Sequence, residues 1–131
     1  MFTESIFPRF SETDALGHIN NTTVPVWLEQ ARTPIFRMFI PDLDPKHWRL
    51  IIAKIEVEFF HELVYGTPVE VRTSIAKIGR TSFHISQEVH QHEQLCARGL
   101  SVAVHFNYDS KKAEPIPDDI RSQLEEHLIP S

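Results

Sequence analysis

The sequence predicts an α+β protein in which a curved antiparallel sheet wraps one long helix and a short helix closes the chain. Three observations predict it. Apolar residues recur at helical spacing in a single early segment, from about Thr22 to Ile40. Four long β-branched or alternating runs follow, joined by turn-length connections with no helix between them, the arrangement of antiparallel strands. The 131 residues leave room for one core and little for a second, so residues 1–131 are expected to form a single domain.

Each element has its own signal. Phe2 to Phe10 alternates loosely and reads as a first strand, with Pro8 marking an edge or a bulge near its end. Ser11 to Asn21 carries Ser, Thr, Asp, Gly and Asn, the chemistry of loops and caps. Val24, Leu28, Ala31, Ile35 and Met38 then recur at spacings of four, three, four and three, one face of a helix that Trp27 and Phe39 widen. Asn20 or Asn21 is the expected N-cap. Pro25 fits a first turn, whereas Pro34 lies inside the run and predicts a kink or interruption.

The strand runs are Leu50 to Phe60, Val69 to Ile78, Thr81 to His90 and Leu95 to Asn107. Turns at Tyr65-Gly66-Thr67-Pro68, Ile78-Gly79-Arg80 and His90 to Gln94 separate them. Phe83, Ile85 and Val89 share one strand face, with His84, Ser86 and Glu88 on the other. Pro115-Ile116-Pro117 leads into a last helix, Asp118 to Leu128, capped at Pro117 or Asp118.

Composition excludes several functions. The net charge is -5 and no Lys/Arg run forms a nucleic-acid patch, although a local cation for one nucleotide phosphate is compatible with that balance. The single cysteine, Cys96, rules out an internal disulfide and any multi-cysteine metal site, and reads as a small packed hydrophobe. No apolar stretch nears the roughly 20 residues that span a bilayer, and no basic-then-apolar leader opens the sequence. The expectation is a cytoplasmic protein that engages no membrane. Ser11, Ser82 and Ser101 lack the Gly-x-Ser-x-Gly elbow of serine hydrolases. His84, His90 and His92 share a strand face, but no carboxylate or cysteine at ligand spacing joins them, so no metal is expected.

The chemistry concentrates ahead of the helix. Backbone N–H groups at a helix start lack intrahelical partners and carry partial positive charge, so they can hold a carbonyl oxygen that becomes an oxyanion. A carboxylate close by can attack a thioester carbon or activate water. Asp14 precedes Asn21 by seven positions, too far for ordinary capping. On spacing alone, a loop-fixing and a catalytic Asp14 both stand. Gly17 allows a tight turn against a ligand. His18 either bonds the substrate carbonyl or tunes Asp14, or else fixes the loop by bonding a backbone carbonyl. Glu29 lies eight residues past Asn21, about 12 Å along a straight helix, and reads as a salt-bridge partner of Arg32 or Arg9.

The motif Arg9-x-x-Glu12-x-Asp14-x-x-Gly17-His18-Ile19-Asn20-Asn21, followed by Trp27-x-Glu29-x-Ala31-Arg32, resembles the hotdog-fold acyl-CoA thioesterases of the 4-hydroxybenzoyl-CoA thioesterase class. Gly79-Arg80-Thr81-Ser82-Phe83 and Pro115-Ile116-Pro117 extend the resemblance over nearly the whole chain. It implies a hotdog domain that hydrolyses an acyl-CoA thioester without a cofactor. Asp14 takes the position of the catalytic nucleophile or general base, and the Asn21 N–H that of the oxyanion donor. Gly17, His18, Arg80, Thr81 and Ser82 fall at substrate-binding positions, the last three at the nucleotide end of coenzyme A. A homodimer or homotetramer with active sites between subunits is implied, with strand residues near Ile55 to Phe60 completing the acyl pocket from the partner. Two departures stand out: Val24 replaces a usual aromatic, and Pro25 and Pro34 are unusual in that helix. The alternatives are a non-catalytic acyl-CoA binder and a hotdog hydratase or dehydratase.

Overall fold

A computed structural model describes residues 1–130. Strand β1 (Phe2–Ile6) is followed by a 3-10 turn (Phe10–Glu12), helices α1 (Thr23–Ala31) and α2 (Thr33–Phe39), and a second 3-10 turn (Pro45–His47). Strands β2 (Leu50–Phe59), β3 (Val69–Ile78), β4 (Ser82–Gln91), β5 (Gln94–Asn107) and β6 (Lys112–Ala113) come next, then helix α3 (Asp118–Glu125). The sheet order is β1-β3-β4-β5-β2, with antiparallel pairing throughout and β6 beside β5. Register shifts at Ile52/Lys54, Ile75/Lys77 and Val89/His90 supply bulges that bend the strands.

The bent sheet is concave toward α1 and α2. Alternation puts Val71, Ile75, Phe83, Ile85, Val89, Ala97 and Ala103 on the inner face, all buried. Against them lie Val24, Trp27, Leu28, Ala31, Ile35 and Phe39, the predicted helix stripe, with Met38 at its half-buried margin. Gly99 makes room for this packing: a Cβ there would stand 2.5 Å from Leu28 Cδ1. Phe39 stacks on Phe83 with ring centroids 5.3 Å apart, and α3 seals that end with Ile120 and Leu124.

Three expectations need correction. The first strand stops at Ile6 rather than Phe10, because Pro8 has no N–H for the ladder and the chain turns into the 3-10 segment. The single long helix is two, the interruption expected of Pro34 falling at Arg32 (φ -82, ψ -8) with Pro34 in the first turn of α2. Proline is tolerated there and not in a helix interior. The cap at α1 is Thr22, whose side chain makes no capping bond; Asn20 accepts from the Thr22 N–H and hydroxyl just outside the helix. Strand β6 carried no separate signal, since two residues show no period.

The helix break rearranges the local hydrogen bonds. Arg32 N–H donates to the Glu29 carbonyl at 3.1 Å, while the Leu28 carbonyl accepts from Gln87 Nε2 at 2.9 Å. Gln87 Nε2 also donates to Thr73 Oγ1 at 3.1 Å. The end of α1 is thereby bonded to the floor of the sheet.

β4 and β5 are joined through His92 (φ 53) and Glu93 (φ 61), two left-handed residues in sequence. That is the backbone of a type I′ hairpin turn, which favours Asn-Gly. Replacing His92-Glu93 by Asn-Gly is expected to raise stability by about 0.5–2 kcal/mol, read as a higher denaturant midpoint at unchanged slope.

Candidate active site

Asp14 sits in a short loop that the sequence closes tightly. Asp14 N–H donates to the His18 carbonyl at 2.7 Å, and Thr13 bridges to Ile19. Asp14 Oδ1 accepts from Leu16 N–H at 2.8 Å and His18 N–H at 3.2 Å. Gly17 takes φ +83 to complete this reversal, a conformation L side chains rarely adopt. No donor among the described residues reaches Asp14 Oδ2. One carboxylate oxygen holds the loop and the other is unspent.

The loop is anchored by Glu12, which is 9% exposed. Its carboxylate accepts from Arg9 N–H at 2.6 Å and from Trp27 Nε1 at 3.1 Å, and Arg9 Nη2 stands 3.6 Å away. Its carbonyl accepts from Asn20 N–H at 2.8 Å. Loop and helix are therefore joined through one buried acid. The Glu at the third position of a cap pattern is a recognised sequence signal for this role.

Asp14, His18, Asn20, Asn21 and Val24 line one open cleft of about 900 Å³ with Phe59 to Leu63 and Gln94. The Asn21 N–H, two residues before α1, has no acceptor among the described residues. His18 Nε2 lies 3.0 Å from Glu62 Oε2, a carboxylate rather than the backbone carbonyl expected of a loop-fixing role. Glu62 carried no signal in the sequence. Phe59 and Phe60, expected from a partner subunit, line the cleft of their own chain.

Arg80, Thr81 and Ser82 are elsewhere. They form the β3–β4 turn, where their carbonyls accept from Ile116, His105 and Gly79 N–H. The opposite end of β4 is Gln91, bonded to Val64 beside the Asp14 loop. Its ten residues separate the two groups by about 30 Å within one chain.

Glu29 forms no ion pair among the described residues; Arg9 pairs with Glu12 instead, and Glu29 is exposed along a second cleft. His90 Nε2 lies 3.1 Å from Glu88 Oε1 and His92 Nε2 lies 3.2 Å from Thr67 Oγ1, so each already has a neighbour. Asp42, Asp44 and His47 bring ligand-type atoms within 4.8 Å of one another in an exposed loop. Their carboxylates accept from Asp44 and Lys46 N–H, the bonds that shape that loop. Burial pushes the Cys96 thiol pKa up, as befits a packed residue. No helix among the described residues is long and apolar enough to cross a membrane.

An antiparallel sheet curled round a helix whose start faces a carboxylate is the hotdog architecture, and the chain is a hotdog-type thioester hydrolase. It belongs to the thioesterase-like superfamily, whose sequence profile matches residues 8–124. It is similar to a predicted thioesterase from Bacillus stearothermophilus at 52% identity, covering 99% of this chain and 98% of that one with a TM-score of 0.96. A thioesterase from Thermus thermophilus, solved with coenzyme A and zinc, is 25% identical over 95% of this chain and 91% of that one, TM-score 0.81. The Bacillus subtilis protein YsmA is 25% identical over 125 residues, 94% of this chain and 84% of its own.

Replacing Glu12 by Ala strands the Trp27 Nε1–H and frees the loop. The expected cost is about 1–3 kcal/mol in chemical unfolding, with lower thioesterase turnover.

Proposed function

We propose that this protein hydrolyses acyl-CoA thioesters, residues 1–131 acting as one thioesterase domain. The observation that carries the reading is a pair of unspent groups on one cleft, Asp14 Oδ2 and the Asn21 N–H. The thioester oxygen accepts from Asn21, where the positive end of α1 favours developing negative charge. Asp14 Oδ2 attacks the carbonyl carbon to give an anhydride that water cleaves, or takes a proton from the attacking water. By either route the C–S bond breaks, the sulfur leaves as a thiolate and is protonated, and a carboxylic acid forms. A thiolate leaves readily, so the reading enlists no metal or prosthetic group. Gly17 shapes the loop, and His18, tethered to Glu62, forms part of the wall.

Coenzyme A as the thiol is supported by the Thermus relative that binds it. The cation of Arg80 with the hydroxyls of Thr81 and Ser82 suits its phosphates. Their distance from Asp14 is resolved by a second copy. Ser82 pairs with Val104 and Val104 with Ile51, whereas Val89 pairs with Ala97 and Ala97 with Phe59. Arg80–Ser82 thus stand at the Leu50 end of β2, and Asp14 at its Phe59 end. The outer edge of β2 has no partner strand, and Ile55 and Phe59 on its inner face are each 50% exposed. Antiparallel pairing with another β2 reverses the ends, so the β3–β4 turn of one copy approaches Asp14 of the other. The homodimer is the minimal unit, and a tetramer would be two of them.

Asp14→Asn is expected to lower kcat by about 10²–10⁴-fold in a thiol-release assay over an acyl-CoA panel; undiminished hydrolysis would remove Asp14 from its role. Ile55→Asp is expected to shift the sedimenting species to monomer and to abolish turnover in parallel. A fully active monomer would defeat the shared site.

A further inference from the structure

At the junction of α1 and α2, Arg32 is 3% exposed. Its Nε has no hydrogen-bond partner among the described residues, and Nη1 reaches Gln87 Oε1 only at 3.5 Å, the outer limit of such a bond. None of the ion pairs among the described residues includes Arg32. Burial draws its pKa down while Glu29 nearby pushes it back, yet a guanidinium stays charged in proteins. A second orphan lies close by in the fold. Ser101 Oγ is buried without a partner, one inward position along β5 from Gly99, which pairs with Gln87.

Burying a cation without an acid is costly, and native structures rarely leave it so. Arg32 also lines a cleft of about 530 Å³ whose other walls include Phe36, Trp48, Ile51, Ile52 and Tyr108. The cleft also carries the exposed Glu29, so its one buried charge is the Arg32 cation, and apolar walls around a buried cation suit a ligand that is apolar along its length and anionic at its tip. The cleft stands at the Leu50 end of β2. In the antiparallel dimer proposed above, on which this step rests, that end of one copy faces the Asp14 cleft of the other. An acyl group whose thioester carbon is at Asp14 would therefore extend toward the other copy's Arg32.

We infer that Arg32 receives a carboxylate at the far end of the acyl group, so that the preferred substrates are thioesters of dicarboxylic acids. The methylenes lie against Phe36, Trp48 and Ile52, and the distal carboxylate completes the bonding of Arg32. A chain ending in methyl leaves the guanidinium unpaired, and sites built to bond a substrate group discriminate strongly against analogues that lack it.

The test uses the full chain with suberyl-CoA and octanoyl-CoA, which share a length and differ in the terminal carboxylate. Wild type is expected to favour suberyl-CoA in kcat/KM. The ratio should fall by about tenfold or more in R32M and recover in part in R32K, which keeps the charge. Both substrates meet the same folded fraction, so lost folding cannot mimic a change in ratio. An unchanged ratio in R32M, or a wild-type preference for octanoyl-CoA, overturns the assignment. Should R32M yield no folded protein, the wild-type ratio decides alone. If wild type hydrolyses neither ester, the proposed function fails, but the two dissociation constants on D14N still judge Arg32. Tighter suberyl-CoA supports it, and equal or weaker binding refutes it.

Discussion

Pro34 has no N–H to give to the Gln30 carbonyl, and its ring would crowd that carbonyl in any helix passing through it. Since an apolar stripe runs on both sides, burial demands that helix continue on the same sheet while the backbone forbids it to continue unbroken. The chain meets both demands by stopping at Ala31 and restarting at Thr33. Three consequences follow. The Leu28 carbonyl, released from the intrahelical ladder, is taken by Gln87 on β4. α2 lays Ile35 and Phe39 over Phe83, against which α3 can pack. Arg32, at the break itself, is buried with its guanidinium beside Gln87 rather than in solvent.

The loop ahead of α1 works by a comparable division of labour. A carboxylate has two oxygens, and Asp14 commits one to Leu16 and His18. The loop-fixing and the catalytic readings of Asp14 are therefore not rivals. The bonds to Oδ1 fix the direction in which Oδ2 points, and preorganisation of that kind is what an attacking group requires. Glu12 does for the whole loop what Oδ1 does for Asp14, tying it to Trp27 and through it to the helix core.

Periodicity made the sheet and the helical stripe legible, because alternation and 3.6-residue spacing survive any tertiary arrangement. Val69–Ile78 was readable to the residue, and the other three long strands to within a residue or so. The residues around Asp14 were legible because they are neighbours in sequence. His18–Glu62 and Arg32–Gln87 were not, since partners 44 and 55 positions apart meet only after the strands have registered. Glu29 illustrates the converse error: helical proximity to Arg32 invited an ion pair, but the break buries Arg32 and leaves Glu29 exposed on the helix surface. The placement of Arg80–Ser82 away from Asp14 likewise depends on sheet register, which no local pattern encodes.

Register also gives the free edge of β2 its meaning. A strand with an open ladder and half-exposed Ile55 and Phe59 on its inner face is an aggregation hazard unless something pairs with it. Closing that edge with a second β2 covers the apolar surface and, in the same step, sets each β3–β4 turn and each Arg32 cleft opposite the other chain's Asp14. In that reading, folding stability and substrate binding draw on one interface. The sheet of each copy is too long for the proposed nucleotide contacts of Arg80–Ser82 at one end and Asp14 at the other to cooperate within a chain. Two copies in the proposed antiparallel array would remove the distance without altering a single side chain.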